Sequence, residues 1–124
     1  MKKKILVIDD DALVLKSVRN LLTNEGYEVE CAKNSEEAEL MIRRFPFNLI
    51  VCDIRMPGKD GISAMKDLKH LCQTEFKLDI PFILITGYAS EEAPIDAIKL
   101  GAKDYLLKPF DLNELSESVR KHIA

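Results

Sequence analysis

Asp9, Asp10 and Asp11 follow the apolar run Ile5–Ile8, and no basic residue comes before Lys16. Like charges held close together disfavour their own ionisation and destabilise whatever structure holds them. Either the three carboxylates stand apart in water, or a positive species belongs between them. Further along, Asp53 closes a second apolar run, Leu49 to Cys52. Thr86 closes a third, Phe82 to Ile85, and Lys108 follows Asp104–Leu107 just before Pro109. An aspartate in such a setting can serve as a metal ligand or, if activated, as a nucleophile.

These residues matter only if the chain brings them together, and the periodicity says how it would. Ile5–Ile8 is continuously apolar, as a strand buried on both faces must be. Val14, Val18, Leu21 and Leu22 then recur at helical spacing, with Gly26 as the stop signal. Tyr27 to Cys31 alternates as a short strand. Asn34 with Glu37 forms a capping box for a helix whose inner face is Ala38, Met41, Ile42 and Phe45. After the strand ending at Asp53, Pro57-Gly58 and Gly61 mark a loop, and Met65, Leu68 and Leu71 or Cys72 mark a third helix. A strand over Phe82 to Ile85 precedes a short helix around Ile95 to Leu100, which Gly101 stops. Asp104 to Leu107 is a last strand. Asp111 with Glu114 forms a second capping box, for a helix with Leu112, Leu115, Val119 and Ile123 inward.

Strand and helix alternate five times, which specifies an α/β fold: one doubly wound, five-stranded parallel sheet with helices on both faces. Right-handed crossovers favour the flavodoxin-like strand order 2-1-3-4-5, in which strands one and three are neighbours and ligands bind at the carboxyl ends where the order reverses. Asp9, Asp10, Asp53, Thr86 and Lys108 then converge on one edge of the sheet.

The 124 residues make a single domain spanning 1–124, with no linker, repeat or low-complexity tract. Lys plus Arg number 18 against 21 Asp plus Glu, a net charge of −3 without a recurring basic stripe, which argues against direct binding of nucleic acid. The apolar run after Met1-Lys2-Lys3-Lys4 is too short for a signal peptide or a membrane span. Cys31, Cys52 and Cys72 form no close pair, and a cytoplasmic chain with reduced, mostly buried thiols is expected.

Over its whole length the chain resembles the receiver domains of two-component response regulators. The resemblance rests on Asp9-Asp10, on Asp53 in "VCDIRMPGKDG", on Thr86 in "ILITGYAS", and on Tyr105 and Lys108 in "DYLLKPF". Each motif alone is weak; their joint occurrence in order at the strand ends is specific. The resemblance implies a phosphorylation-operated switch, in which Asp53 accepts a phosphoryl group from a phosphohistidine of a histidine kinase or phosphotransfer protein. It implies Mg²⁺ held by Asp10, Asp53 and the backbone carbonyl of Arg55, with Asp9 acting mostly through water. It gives Lys108 and Thr86 the phosphate oxygens, and makes Thr86 and Tyr105 the switch pair. A homodimer through the fourth helix, fifth strand and fifth helix also follows from it. The chemistry agrees: a carboxylate can form an acyl phosphate, and a hard cation that prefers carboxylate oxygens and bridges to phosphate relieves the repulsion.

Each residue has a bland alternative. Asp11 reads as a helix N-terminal acid, favourable to the dipole. Asp9 or Asp10 alone could be an N-cap, but a cap needs one of them. Thr86-Gly87 could be a turn, Lys108 a solvated charge, Tyr105 a strand aromatic, and His70 and His122 surface residues. Among rival functions, a phosphatase of the haloacid-dehalogenase type wants a second aspartate where Arg55 stands. A flavin site wants hydroxyls and glycines where the chain has "DDDALVLK", and a pseudo-receiver would lack one of the five residues. "LITGYAS" and "AIKLGAKDYLLKPFDLNEL" are most similar to receivers of enhancer-binding transcriptional activators, so the chain is read either as a stand-alone receiver or as a piece of a longer regulator. Pro94 is expected to shorten the fourth helix at its start, and Arg55 and Tyr88 to crowd the path of attacking water.

Overall fold

A computed structural model of the chain describes residues 2–53, 55–56, 59–86, 101–107 and 109–123. In chain order the elements are β1 (Lys4–Ile8), α1 (Ala12–Asn24), β2 (Glu28–Ala32), α2 (Ser35–Arg44), β3 (Leu49–Asp53), β4 (Arg55–Met56), β5 (Lys59–Asp60), α3 (Gly61–Glu75), β6 (Phe82–Thr86), β7 (Asp104–Leu107) and α4 (Leu112–His122). The main sheet is parallel and runs β2-β1-β3-β6-β7, which is the expected order 2-1-3-4-5 once the two-residue strands β4 and β5 are set aside.

The continuous apolar runs divide their side chains between two cores, because successive residues of a strand face opposite sides. Leu6, Ile8, Ile50, Cys52, Phe82 and Leu84 pack under α2 and α3 with Ala38, Ile42, Met65 and Leu68. Ile5, Val7, Leu49, Val51, Ile83 and Ile85 pack under α1 and α4 with Leu15, Val18, Leu22, Leu115 and Val119. Every side chain of β3 is buried, as a central strand covered on both faces requires.

Local signals account for the helix ends. Asn34 Oδ1 accepts the Glu37 N–H at 2.8 Å, while Glu37 reaches back to the Lys33 N–H at 3.2 Å, so the reciprocal cap closes one residue earlier than the usual box. Asp111 caps α4 through the Asn113 N–H at 2.8 Å. Gly26, after α1, has φ +98°, a conformation that costs a side chain dearly.

Several expectations are corrected. Leu15 is buried in α1, whereas Val14 and Leu21 are only partly so. Phe45 is the C-cap of α2 rather than a helical residue. Leu112 is exposed, because it opens α4 beside a surface groove and does not reach the core. The loop after Asp53 contains an antiparallel ribbon, Arg55 pairing with Asp60 and Met56 with Lys59. The helix expected around 95–100, Pro94 and Tyr88 lie outside the described residues.

Candidate functional site

The parallel registers bring the acidic residues together. Ile8 pairs with Cys52, so the next residue on each strand, Asp9 and Asp53, reach the same edge of the sheet side by side. Asp9 and Asp53 are 1% and 2% exposed, whereas Asp10 faces solvent. One carboxylate oxygen from each of Asp9, Asp10 and Asp53 lies within 4.8 Å of the other two. Such a set of hard oxygen donors, two sunk into the fold and one at its mouth, fits a hard divalent cation.

Backbone contacts set the first acid firmly. The Asp9 N–H donates to the Ala32 carbonyl at 3.0 Å, extending the β1–β2 ladder by one step. Asp9 Oδ1 accepts the Asp11 N–H at 2.9 Å, and Asp11 Oδ1 in turn accepts the Leu13 N–H at 2.9 Å. The N-cap of α1 is therefore Asp11, which leaves the Asp10 carboxylate to the cluster. The run of three acids thus divides into one cap and two cluster members.

Cys52 lies directly behind the cluster, fully buried, with its thiol donating to the Asp53 carbonyl at 3.5 Å. Burial pushes that thiol far above the ordinary range, and the nearby charges of Asp53 and Asp9 push it further, so it stays protonated and unreactive. Burial raises the thiols of Cys31 and Cys72 as well, and all three cysteines are free, as expected.

Of the remaining expected site residues, those described lie on the neighbouring elements. Thr86 is the last residue of β6, paired in register with Leu107, and Asp53 pairs with Ile85 one step before it. Arg55 opens the ribbon two residues beyond Asp53. Tyr105 is half-buried against the core under α3. Lys108 lies outside the described residues. His70 is exposed, but His122 is not the surface residue expected: its Nε2 lies 3.8 Å from Asp104 Oδ2, with only 19% of its side chain exposed. A groove of about 950 Å³ between α2 and α3 is lined by Asp10 together with residues such as Glu36 and His70.

The family model of the response regulator receiver domain matches residues 5–120. The chain belongs to that family. Receiver domains are phosphorylation-operated switches of two-component signalling. Among relatives, the transcriptional regulatory protein ZraR of Salmonella typhimurium is 37% identical over 123 residues, covering 99% of this chain and 27% of that protein. The transcriptional regulatory protein CrdR of Helicobacter pylori is 37% identical over 121 residues, 98% of this chain and 55% of that protein. The chain therefore spans between about a quarter and about half the length of these relatives. The crystal structure of a CheY-like receiver domain protein from Methanospirillum hungatei superposes with a TM-score of 0.87 at 33% identity, over 98% of this chain and 93% of that one. Among the described residues, no helix is long and apolar enough to cross a membrane.

Proposed function

We propose that Asp53 is the phosphoacceptor of this receiver, taking a phosphoryl group from a phosphohistidine of a sensor histidine kinase or phosphotransfer protein. The observation that carries this reading is the convergence of the Asp9, Asp10 and Asp53 carboxylates at the carboxyl edge of the sheet. In the transfer, an oxygen of Asp53 bonds to phosphorus as the bond from phosphorus to the donor's imidazole nitrogen breaks, and the chain acts on itself rather than on a metabolite. Asp9, Asp10, Asp53 and the backbone carbonyl of Arg55 would hold Mg²⁺, which when bound neutralises charge on the transferring group. Asp9 acts at one remove: its bond to the Asp11 N–H fixes the turn that presents Asp10. Lys108 supplies a point charge to the phosphate oxygens, and Thr86 supplies a hydroxyl donor. Thr86 and Tyr105 then form the switch that reshapes the surface, since a phosphate can shift such an equilibrium only through contacts that differ between its two states.

The test is direct. Incubated with a small-molecule phosphodonor and Mg²⁺, the intact chain should gain the mass of one phosphoryl group, and Asp53→Ala should gain none. A gain that survives Asp53→Ala would overturn the assignment.

A partner surface adjoins the site. Leu13, 75% exposed, lines a groove of about 540 Å³ with Val14 and Ser17 of α1 and with Phe110 and Leu112. The groove is mostly apolar, lies on the helix that Asp11 caps, and is bordered by the residues just after Lys108. An apolar face of the phosphodonor protein would seat here and bring its histidine toward Asp53. Leu13→Asp should slow transfer from that protein at least tenfold while leaving phosphorylation by a small-molecule donor unchanged. Equal slowing with both donors would place the effect in the acidic site instead.

The reading sets the chain in the cytoplasm, in keeping with three free thiols, and gives it a place in transcription control like that of its relatives. It includes a homodimer through the helix expected near 95–100, β7 and α4, for which sedimentation of the phosphorylated chain should report a doubled mass. An unchanged mass would remove the dimer from the reading.

A further inference from the structure

Asp104 has a carboxylate whose two oxygens are both engaged. Oδ1 accepts the backbone N–H of Tyr105 at 2.8 Å. Oδ2 accepts the hydroxyl of Ser118, a residue of α4 that is 5% exposed, at 2.7 Å, and it also has His122 Nε2 at 3.8 Å. Hydrogen bonds to an ionised acceptor are about twice as strong as neutral ones, so this clip is a substantial link between strand and helix.

Its position gives it leverage. Among the described residues β7 is an edge strand, hydrogen-bonded within the sheet only to β6. Its consecutive residues are gripped from opposite faces: Tyr105 by the core under α3, Leu106 by the core under α1 and α4. The backbone that carries Tyr105 is therefore located by β6 on one side and, one residue upstream, by the Asp104–Ser118 clip. A turn of the Tyr105 ring that alters β7 alters the geometry of that clip. A contact whose strength differs between two arrangements biases their equilibrium, and by linkage it changes the affinity of any ligand that distinguishes them.

We infer that Asp104 is a positioning residue of the switch, acting through Ser118 on α4 to set how readily Tyr105 moves when Asp53 is occupied. This rests on the reading of Asp53 as phosphoacceptor and of Tyr105 as switch aromatic. Asp104 does not act on the acceptor directly: it opens β7, two residues before Leu106, and β6 lies between β7 and the strand that ends in Asp53.

The same helix carries a control. Ser116, 6% exposed, donates to the Glu25 carboxylate beyond the end of α1, a contact of the same chemistry that does not touch β7. The experiment titrates Mg²⁺-loaded protein with beryllium trifluoride, a mimic of a phosphoryl group on a carboxylate, and measures its apparent dissociation constant alongside denaturant unfolding. Asp104→Ala and Ser118→Ala should each change that constant at least threefold, in the same direction. The double variant should change it no further than the larger single effect, as coupled partners do. Asp104→Asn, which keeps a group able to bond Ser118, should fall between wild type and Asp104→Ala. Ser116→Ala should lower stability and leave the constant within 1.5-fold of wild type. A constant unchanged in Asp104→Ala and Ser118→Ala despite lowered stability, or moved as far by Ser116→Ala, would reduce the clip to packing and overturn the inference alone. No saturable binding by the wild type would overturn the phosphoacceptor reading and the inference with it.

Discussion

Asp10→Asn is expected to make the metal-free chain more stable, by about 1 kcal/mol, and to make it phosphorylate poorly. Three carboxylates with oxygens within 4.8 Å of one another repel. At about 4 Å a pair of unit charges repels by about 1 kcal/mol in water and about 4 kcal/mol at the effective dielectric near a protein surface. Asp10 is the exposed member, so its repulsions with Asp9 and Asp53 lie toward the water limit. The amide keeps the shape of the side chain and removes one charge. Mg²⁺ at ten times its dissociation constant should stabilise the wild type by about 1.4 kcal/mol, and the variant should lose most of that gain. Denaturant unfolding of both proteins, in chelator and in Mg²⁺, gives all four values. A less stable Asp10→Asn in chelator would mean that the three carboxylates do not share a site.

This opposition between stability and function was partly legible in the sequence. Three apolar runs each ended in a polar residue, and alternation with amphipathic helices favoured a strand order in which those ends meet. That order is favoured by rules of handedness and burial that operate on any such pattern, which is why Asp9, Asp10 and Asp53 could be named before any coordinates. The division within "DDD" was legible in outline, with Asp11 read as the acid at the helix start and Asp9 and Asp10 as the site pair, but the cap itself was not assigned to one residue. Whether Asp9, Asp10 or Asp11 caps α1 depends on one backbone turn, and the bond from the Leu13 N–H to the Asp11 carboxylate decides it for Asp11. The ribbon at Arg55–Asp60 was missed because Pro57, Gly58 and Gly61 are strong turn signals, and a two-residue strand leaves no periodicity to read. His122 and Ser118 were missed for another reason. Their role is set by a carboxylate distant in sequence, and on α4 they look like ordinary polar positions beside Leu115 and Val119. Asp104 directly precedes the Tyr105 that the family motif singles out, yet nothing in the spacing marks it as the partner of α4.

Phe82→Ala is expected to act in the opposite sense to Asp10→Asn, costing about 3–5 kcal/mol. Phe82 heads the largest side chains that are fully buried, opens β6, and pairs in register with Ile50 on the central strand. Its neighbours in the core under α3 include Leu6, Ile50, Met65 and Leu84. They belong to different elements, so they cannot all close on the void without moving the sheet. Against a total stability of about 5–15 kcal/mol for a domain of this kind, that loss is a third or more of what holds the chain folded. Yet Phe82 stands at the end of β6 opposite Thr86, about 13 Å along the strand. The folded fraction should therefore bind Mg²⁺ within twofold of wild type at low temperature, while denaturant unfolding shows the full loss with an unchanged slope. A cost under 2 kcal/mol would mean that the two cores can repack around the central strand. A Mg²⁺ affinity weakened tenfold in the folded protein would mean that the acidic edge depends on the strand's far end, contrary to its anchoring by Ala32 and Asp11.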